Sequence, residues 1–470
     1  MRLDQLLDGI DPQAVAGDVT GIDVTAITHD SRDVGPGALF CCVPGERFDG
    51  HDFAPDAVAA GAVALVVERV IAADIVGAVA QVVVPSTRAA MGPLAAALFG
   101  HPSHSLDVVG VTGTNGKTTT VHLLQSILAA AGRPTIVIGT LTGTRTTPEA
   151  PQLQGHLASF RDGGGRAVAM EVSSHALALH RVDGTRFKVA VFTNLGRDHL
   201  DFHVTMSDYF QAKARLFDPS FSDTAVVNLD DSYGRLLNDA ARVPTVGYSL
   251  AQADYLDVRA DRSQFRWRGV QLEVRLGGRF NASNALAAAT AASQLDIDPA
   301  AVAEGLRAAE AVPGRFESVD ESQPFRVIVD YAHTPDGLDQ LLTAAREVAA
   351  DHRVHVVFGA GGDRDPTKRP AMGEVAARLA DRVVLTSDNP RGEEPRAIIQ
   401  AVQTGISDLS RVVVEPDRRA AIALVLGDAR PGDVVVIAGK GHETTQTIGD
   451  DVLPFDDREV ARDLLRSRSW

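Results

Sequence analysis

Short apolar runs alternate with longer, alanine-rich segments along most of this chain. Apolar runs bounded by glycine, proline or polar residues predict buried strands, and apolar residues spaced three or four apart predict helices. Strands that alternate with helices are typical of parallel sheets covered by helices. The pattern therefore predicts an α/β protein.

The same pattern divides the chain into three blocks, which we predict to be domains at 1–105, 106–314 and 315–470. Predicted strands in the first block are 38–43, 62–67 and 81–84, with helices at 54–61 and 87–100. Predicted strands in the second are 106–111, 135–139, 167–172, 189–193 and 224–228, with a packed helix at 283–292. Those in the third are 326–329, 355–358, 382–386, 411–414 and 433–438. The composition of 101–105 predicts a linker, and the two helix breakers in 312–315 predict a hinge.

Polar, glycine-rich clusters follow four strands of the third block, with the sequences DYAHTP, GAGGDRD, SDNPRGEEP and AGKGHE. Ligands bind at the carboxyl ends of strands in open α/β sheets. Ordinary turns account for the glycines and prolines in these clusters. They do not account for the charged and titratable side chains at the same edge, namely Asp363, Arg364, Asp388, Arg391, Lys440, His442 and Glu443. We therefore expect one shared binding site there.

The segment VVGVTGTNGKTTT (108–120) predicts a phosphate-binding turn between a strand and a helix. Its glycines allow backbone N–H groups to approach phosphates, Lys117 adds a positive charge, and the Thr118 hydroxyl suits a magnesium ion. The match to G-x-x-x-x-G-K-[ST] is not strict, because the first glycine position falls at Val111. The alternative is a purely structural turn.

Two further residues near predicted strand ends suit a metal site. Glu171 ends a strand and can reach a phosphate-bound Mg²⁺, which usually takes one or two carboxylates together with water and phosphate oxygens. His199 follows another strand and suits either a second-metal ligand or a phosphate contact, and His175 and His203 also lie after strands of this block. A packed or surface imidazole is the alternative for each histidine. Lys213 on its own reads as a solvated residue of a helix.

Composition narrows the classes of protein. The chain has 470 residues, is 45% hydrophobic and carries a net charge of −16, which disfavours nucleic acids and anionic membranes as main partners. The N-terminus lacks the features of a signal peptide, and no apolar stretch is long enough to predict a membrane span.

The only cysteines are the neighbours Cys41 and Cys42. They predict unpaired core residues of a strand in a reducing compartment, so we expect a cytoplasmic protein.

Taken together, the motifs resemble those of the Mur ligases over essentially the whole chain. The matching segments are TGTNGKTTT, TTPEA, MEVSSHAL, TNLGRDHLDFH, YFQAKARLF, VPGRFE, DYAHTPDGL, GGDRD–KRP, DNPR and AGKGHE. The nucleotide segment is shared across the superfamily. TTPEA, SRDVGPGALF–DGH and DNPR resemble the branch that adds meso-2,6-diaminopimelate to UDP-N-acetylmuramoyl-L-alanyl-D-glutamate, a step of peptidoglycan precursor synthesis.

 

The resemblance implies a monomeric, Mg²⁺-requiring, ATP-dependent amide ligase. It further implies an N-terminal α/β domain for the UDP end, a central P-loop ATPase domain with a parallel sheet, and a C-terminal Rossmann-like domain.

Site residues follow from the resemblance wherever the motifs match. It implies ATP contacts by Gly113, Thr114, Asn115, Gly116, Lys117, Thr118, Thr119, Asn284, Arg315 and Asp330. It implies UDP-substrate contacts by Ser31, Glu46, Arg47, Phe48, Thr146, Thr147, Ser173 and Arg181. Diaminopimelate contacts fall on Arg364, Asp388, Asn389, Pro390, Arg391, Gly439 and Glu443. The implied metal site is Thr118, Glu171, His199 and a carbamylated Lys213, and the implied catalytic residues are Lys117, Glu171, His199 and Lys213.

The chemistry of diaminopimelate agrees with these assignments. A bidentate Arg391 suits its distal carboxylate, and Glu443 suits its ammonium group. Lysine lacks that carboxylate, and a site built around polar groups rejects such analogues by up to about 10⁴–10⁵-fold. Three positions depart from the family pattern, namely Arg145, Leu179 and Gly392. The alternatives are folylpolyglutamate synthase, a lysine-adding ligase, a nucleotide-gated binding subunit without catalysis, and a nucleic-acid motor.

Overall fold

The computed structural model describes residues 1–45, 47–259 and 261–468. Three sheets, each flanked by helices, follow one another along the chain, which confirms the α/β class and the three-domain architecture. Among the described residues, no helix is both long enough and apolar enough to span a membrane.

The first sheet has the strand order β1-β5-β4-β3-β2, and only the β1–β5 pair is antiparallel. Its strands are β1 Ala14–Ala16, β2 Ala26–Thr28, β3 Ala38–Cys41, β4 Ala62–Val67 and β5 Ala80–Val83. Its helices are α1 Leu3–Leu7, α2 Ala54–Ala59, α3 Ala73–Val76 and α4 Thr87–Leu98. Cys41 and Cys42 are buried and unpaired, as predicted, and burial raises the pKa of both thiols.

The second sheet is parallel throughout, with the order β11-β10-β9-β6-β8-β7. Its strands are β6 Asp107–Thr112, β7 Thr135–Ile138, β8 Ala167–Glu171, β9 Phe187–Phe192, β10 Ser222–Asn228 and β11 Thr245–Tyr248. An antiparallel meander follows, formed by β12 Asp254–Val258, β13 Ser263–Trp267 and β14 Val270–Val274. The helices of this block are α5 Lys117–Ala130, α6 Ala150–Asp162, α7 Ser174–Ala178, α8 Leu200–His203, α9 Met206–Ala214, α10 Ser232–Ala240, α11 Arg279–Ser293 and α12 Pro299–Ala308.

Alanine lets α11 lie close to the central sheet. Its small side chains are buried in one cluster with α5, α12 and strands of the sheet. This close packing brings the start of α11 beside the phosphate-binding turn, where Asn284 lines the same cavity as that turn.

The third sheet has the order β15-β16-β20-β17-β18-β19, with only β15 antiparallel to its neighbour. Its strands are β15 Glu317–Ser318, β16 Arg326–Asp330, β17 Val354–Phe358, β18 Arg382–Leu385, β19 Val412–Val414 and β20 Val434–Ala438. A hairpin follows, formed by β21 Thr445–Ile448 and β22 Asp451–Pro454. The helices are α13 Pro335–Ala349, α14 Lys368–Leu379, α15 Pro395–Gln403, α16 Arg418–Asp428 and α17 Asp457–Arg466.

The predicted linker at 101–105 is more ordered than its composition suggests. Pro102–Ser105 forms a 3-10 helix, and the buried Ser103 hydroxyl accepts a hydrogen bond from the Arg186 backbone N–H at 3.0 Å. This contact fastens the junction to the central sheet, so the segment is a structured connection.

Candidate active site

The turn between β6 and α5 requires glycine at two positions. Gly113 has φ +148° and Gly116 has φ +85°. A Cβ atom on Gly113 would lie 1.9 Å from Thr193 Oγ1, and one on Gly116 would lie 2.3 Å from Asn284 Oδ1. Larger residues therefore cannot adopt this turn without displacing the strand and helix that surround it.

Asn194, at the end of the neighbouring strand β9, holds the turn in place. Its backbone carbonyl accepts a hydrogen bond from Thr114 N, and its side-chain oxygen accepts one from Asn115 N, both at 2.9 Å. The Thr114 hydroxyl contacts the Tyr209 hydroxyl at 3.1 Å. The turn is thus fixed from outside, which prepares it to receive phosphate groups.

Two lysines converge on this turn from different helices. Lys117 Nζ donates hydrogen bonds to the carbonyls of Gly113 at 2.8 Å and Thr114 at 2.9 Å. Lys213 Nζ also donates to the Gly113 carbonyl, at 2.9 Å, and is only 1% exposed. The interpretation of Lys213 as a solvated helix residue was therefore wrong, because α9 packs this face beneath the turn.

Burial lowers the pKa of both lysines, and the Lys117 charge lowers that of Lys213 further, well below its usual range. A lowered pKa gives the lysine a larger uncharged fraction than a solvent-exposed lysine has at the same pH. An uncharged amine is nucleophilic, so the site favours chemical modification of Lys213.

Glu171 lies at the carboxyl end of β8 and is 1% exposed. It accepts a hydrogen bond from Thr118 Oγ1 at 3.1 Å, and from the backbone and hydroxyl of Thr140 at 2.8 and 3.2 Å. Arg315 Nη2 donates to Thr118 Oγ1 at 3.2 Å from the start of the third block. The predicted metal-binding oxygens of Thr118 and Glu171 therefore lie together.

His199 lies near the same turn, in a left-handed backbone conformation with φ +55°. Its ring lies 4.7 Å from that of His175, and burial lowers its pKa to about 3, so the imidazole is neutral and able to bind a metal. His203 is different, because its Nε2 atom lies 2.9 Å from the buried Ser174 hydroxyl. Among the described residues, no group of three or more histidine, cysteine, aspartate or glutamate side chains has metal-site geometry.

Arg315 and Asp330 connect the nucleotide turn to the third sheet. The Arg315 guanidinium lies over the Tyr331 ring, 4.5 Å from its centroid. Asp330 accepts backbone hydrogen bonds from Phe316 at 2.7 Å and Ala332 at 2.8 Å, while burial raises its pKa. Both side chains line the cavity.

At the far end of the cavity, loops after β18 and β20 meet. Asn389 Nδ2 donates to Glu443 Oε2 at 2.8 Å, and the buried Lys440 Nζ donates to the same oxygen at 3.1 Å. Arg391 Nη1 donates to the Gly362 carbonyl at 2.7 Å, which orients its guanidinium. Arg391 and Glu443 therefore present a guanidinium and a carboxylate to the same cavity from loops at one sheet edge.

A single cavity of about 1020 Å³ joins these groups. Its lining includes most of the predicted ATP, dipeptide and amino-acid contacts: Thr114, Asn115, Gly116, Lys117, Thr118, Thr119, Thr146, Thr147, Glu171, Ser173, Arg181, His199, Asn284, Arg315, Asp330, Arg364, Asp388, Asn389, Arg391, Gly439 and Glu443. Gly113 and Lys213 lie directly beneath the turn, and Pro390 is buried between two lining residues.

Family models match all three blocks of the chain. The Mur ligase family catalytic domain matches residues 23–99, the Mur ligase middle domain matches 111–292, and the Mur ligase glutamate ligase domain matches 314–441. A relative from Streptomyces coelicolor, named UDP-N-acetylmuramoyl-L-alanyl-D-glutamate–2,6-diaminopimelate ligase, is 45% identical over 97% of this chain and 95% of its own length. The chain belongs to the Mur ligase family.

Other Mur ligases agree in sequence and in fold. A protein of the same name from Syntrophomonas wolfei is 46% identical over 95% of each chain. A solved structure of a UDP-N-acetylmuramoyl-L-alanyl-D-glutamate–2,6-diaminopimelate ligase is 33% identical, with a TM-score of 0.69 over 99% of each chain. The MurF ligase of Thermotoga maritima in complex with ADP is 20% identical with a TM-score of 0.65, so it supports the fold alone.

Three predicted UDP contacts of this Mur ligase lie outside the lining of the large cavity. Ser31 opens a 3-10 helix, Arg47 is exposed, and Phe48 is 70% exposed. Glu46 lies outside the described residues. The assignment of these four residues stays a prediction.

Glu149 is a residue of this Mur ligase that sequence reasoning did not single out. Its carboxylate is 2% exposed and forms ion pairs with Arg145 at 2.6 Å, Arg181 at 2.9 Å and Arg88 at 3.4 Å. Arg145, one of the departures from the family pattern, is therefore tied to the same carboxylate as Arg181. The sequence signal for Glu149 was its place in the TTPEA motif, directly before a helix. A carboxylate that is buried at such a position needs charged or hydrogen-bonding partners.

The other two positions that depart from the family pattern are Leu179 and Gly392. Leu179 is the C-cap residue of helix α7, and the Gly392 backbone N–H donates to Asp363 Oδ2 at 3.0 Å. Neither position removes a group from the phosphate turn or from the predicted metal ligands.

Proposed function

We propose that this Mur ligase adds meso-2,6-diaminopimelate to UDP-N-acetylmuramoyl-L-alanyl-D-glutamate, with ATP converted to ADP and phosphate. The observation that carries the proposal is the single cavity, whose lining combines the phosphate-binding turn with Arg391 and Glu443. The names of the similar ligases support the same reaction.

We assign the UDP end of the substrate to an N-terminal domain at 1–105, ATP to a central domain at 106–314, and the amino acid to a C-terminal domain at 315–470. Ser31, Glu46, Arg47 and Phe48 are proposed to hold the uridine end. Thr146, Thr147, Ser173 and Arg181 are proposed to hold the dipeptide. The protein is proposed to act as a monomer in the cytoplasm, where ATP and nucleotide-linked precursors are available.

The nucleotide end suits Mg-ATP. Mg²⁺ takes few protein ligands and several phosphate or water oxygens, so Thr118 and Glu171, whose oxygens lie 3.1 Å apart, fit one ion without a dense acidic cluster. Neutral His199 is available as a further ligand. Bound Mg²⁺ would neutralise negative charge on the phosphate groups.

Lys213 fits this scheme as a carbamate. A free ammonium would repel a metal ion, whereas carbamylation by carbon dioxide converts the cation into an anion with oxygen ligands. Burial beside Lys117 lowers the pKa of Lys213, which supplies the uncharged amine that this reaction needs. The Gly113 carbonyl keeps the nitrogen beneath the phosphate turn.

The amino-acid end suits a substrate with a charged group of each sign. Arg391 can bind the distal carboxylate in a bidentate manner, and Glu443 can accept the ammonium. Oε2 of Glu443 is already occupied by Asn389 and Lys440, so Oε1 is the oxygen available to the substrate. Arg364, Asp388, Pro390 and Gly439 are proposed to complete the pocket.

The reaction proceeds in two bond-forming steps. An oxygen of the D-glutamyl γ-carboxylate attacks the γ-phosphorus of ATP, and the bond to the bridging oxygen breaks as ADP leaves. The deprotonated amine of diaminopimelate then attacks the acyl carbon, and phosphate leaves as the amide forms. Lys117 and the backbone N–H groups of the turn stabilise charge on the transferring phosphoryl group.

The inter-domain contacts serve this chemistry by excluding water. An acyl phosphate hydrolyses readily, so the cavity must close before it forms. Arg315 in the 312–315 segment contacts Thr118 directly, which couples the position of the C-terminal domain to the phosphate turn.

Phosphate release from ATP tests the proposal. The assay contains UDP-N-acetylmuramoyl-L-alanyl-D-glutamate with meso-diaminopimelate, L-lysine or no amino acid. We expect release with diaminopimelate only. Release with lysine alone would overturn the proposed specificity, and no release under any condition would favour a binding subunit without catalysis or another acceptor.

A further inference from the structure

Lysine is rare in this chain and is concentrated at the active site. The sequence contains 40 arginines but only five lysines. Lys117 and Lys368 line the cavity, Lys213 lies beneath the phosphate turn, and Lys440 contacts Glu443. Lys188 alone lies elsewhere, 3.4 Å from Asp223 on the surface.

Of these four active-site lysines, Lys368 has no role in the scheme above. It opens helix α14 and is 6% exposed. Within the described part of the chain, no hydrogen bond or ion pair engages its ammonium, whereas the other three each donate at least one hydrogen bond. A buried cation without a partner is costly, so this group is prepared for an anionic ligand.

The position of Lys368 is fixed at the junction between the central and C-terminal domains. The preceding residue, Thr367, accepts a hydrogen bond from Arg197 Nη2 at 2.9 Å. The Arg197 backbone N–H in turn donates to Asp336 Oδ2 at 2.7 Å. These two contacts join the loop after β9 to the starts of helices α13 and α14, and they hold Lys368 beside the central domain.

Electrostatic neighbours show which part of the cavity Lys368 faces. Lys368 lines the same cavity as Asp198, His199 and His333, and as Lys117 of the phosphate turn. The Lys368 charge acts on Asp198 and on His333, so Lys368 lies near both side chains.

We propose that Lys368 is a further catalytic residue, whose ammonium contacts the phosphoryl group during its transfer to the glutamyl carboxylate. This inference rests on the proposed function. As the bond from phosphorus to the carboxylate oxygen forms and the bond to ADP breaks, negative charge on the phosphoryl oxygens lies between Lys117 and Lys368. Arginines serve the carboxylate of the amino acid, whereas a compact ammonium suits a phosphoryl oxygen as a point charge.

The test compares Lys368→Ala with Lys188→Ala as the matched surface control. Acyl phosphate formation is followed by rapid quench with ATP and the UDP-linked dipeptide, and ATP affinity by calorimetry. We expect Lys368→Ala to slow acyl phosphate formation by about 10²–10³-fold, the usual loss for one charge-stabilising group, with ATP affinity nearly unchanged. Short alkylammonium ions should restore part of the rate, and Lys188→Ala should behave as wild type.

A wild-type rate in Lys368→Ala would overturn the inference, as would a loss confined to the KM of diaminopimelate. If the alanine variant folds poorly, Lys368→Met keeps the aliphatic stem and is judged by the same two measurements. Failure of the proposed function is distinguishable, because the wild-type protein itself would then release no phosphate with diaminopimelate.

Discussion

The Thr118 hydroxyl donates a hydrogen bond to Glu171 Oε2 at 3.1 Å, although 53 positions separate the two residues. Strand β6, which leads into the turn before Thr118, is the neighbour of strand β8, which ends at Glu171. Val111 of β6 pairs with Glu171 of β8. Parallel pairing therefore brings the start of α5 and the end of β8 to one edge. The resulting pair of oxygens is the core of the proposed metal site.

Thr118→Val tests this pair, because it removes the hydroxyl while keeping the shape of the side chain. We expect the Mg²⁺ concentration for half-maximal activity to rise by about tenfold, the loss of one charge-assisted hydrogen bond. Thr120→Val is the matched control, since Thr120 is buried in the same helix and its hydroxyl has no hydrogen-bond partner among the described residues. An equal effect of both variants would contradict a specific role for Thr118.

Lys117→Ala should leave the fold intact and abolish ATP-dependent turnover. Among the residues that the structure describes, its ammonium donates only to carbonyls of the turn, so the hydrogen bonds to Asn194 should keep the turn in place. Circular dichroism checks the fold, and phosphate release checks turnover. Full activity in this variant would contradict the nucleotide assignment.

Lys213 offers a test of carbamylation. Lys213→Ala should be inactive and should recover partly with short carboxylates, and wild-type protein in ¹³C-bicarbonate should give a carbamate NMR signal that the variant lacks. Burial lowers the pKa of Lys213, so its uncharged amine persists to lower pH than that of a free lysine and is lost as the pH falls through the lowered pKa. Activity should decline in the same direction, and unchanged activity of Lys213→Ala would refute the carbamate.

Lys213 also illustrates where sequence reasoning stops. Apolar runs predicted β8 and β17 closely, because strands buried on both faces are continuous apolar segments. The meander β12–β14 was missed, since its strands mix polar and apolar residues and pair antiparallel. Helical spacing could not tell that the Lys213 face of α9 packs beneath a distant turn, and only the family resemblance gave this residue a role.

Arg391→Lys tests specificity for the distal carboxylate. Lysine cannot form the bidentate contact, so we expect kcat/KM for diaminopimelate to fall by roughly 10–100-fold, the loss of a charged hydrogen bond. Arg396→Lys, on the first turn of α15, is the control. If the whole fall in kcat/KM of Arg391→Lys came from kcat, with the KM for diaminopimelate unchanged, a binding role for Arg391 would be contradicted.

Arg418 and Asp457 form a fully buried ion pair beneath the amino-acid loops, with Nη2 and Oδ2 2.7 Å apart. Arg418 also donates to the carbonyls of Ser387 and Ala438, which immediately precede the loops carrying Asp388 and Gly439. Arg418→Met strands the Asp457 charge in the interior, so the free energy of unfolding should fall by about 3–5 kcal/mol. Urea denaturation measures this loss, and Arg419→Met, at an exposed neighbour, is the control. Recovery of most of the stability in the double variant Arg418→Met/Asp457→Leu would identify the unpaired charge as the cause, whereas an equally unstable double variant would point to the lost carbonyl contacts.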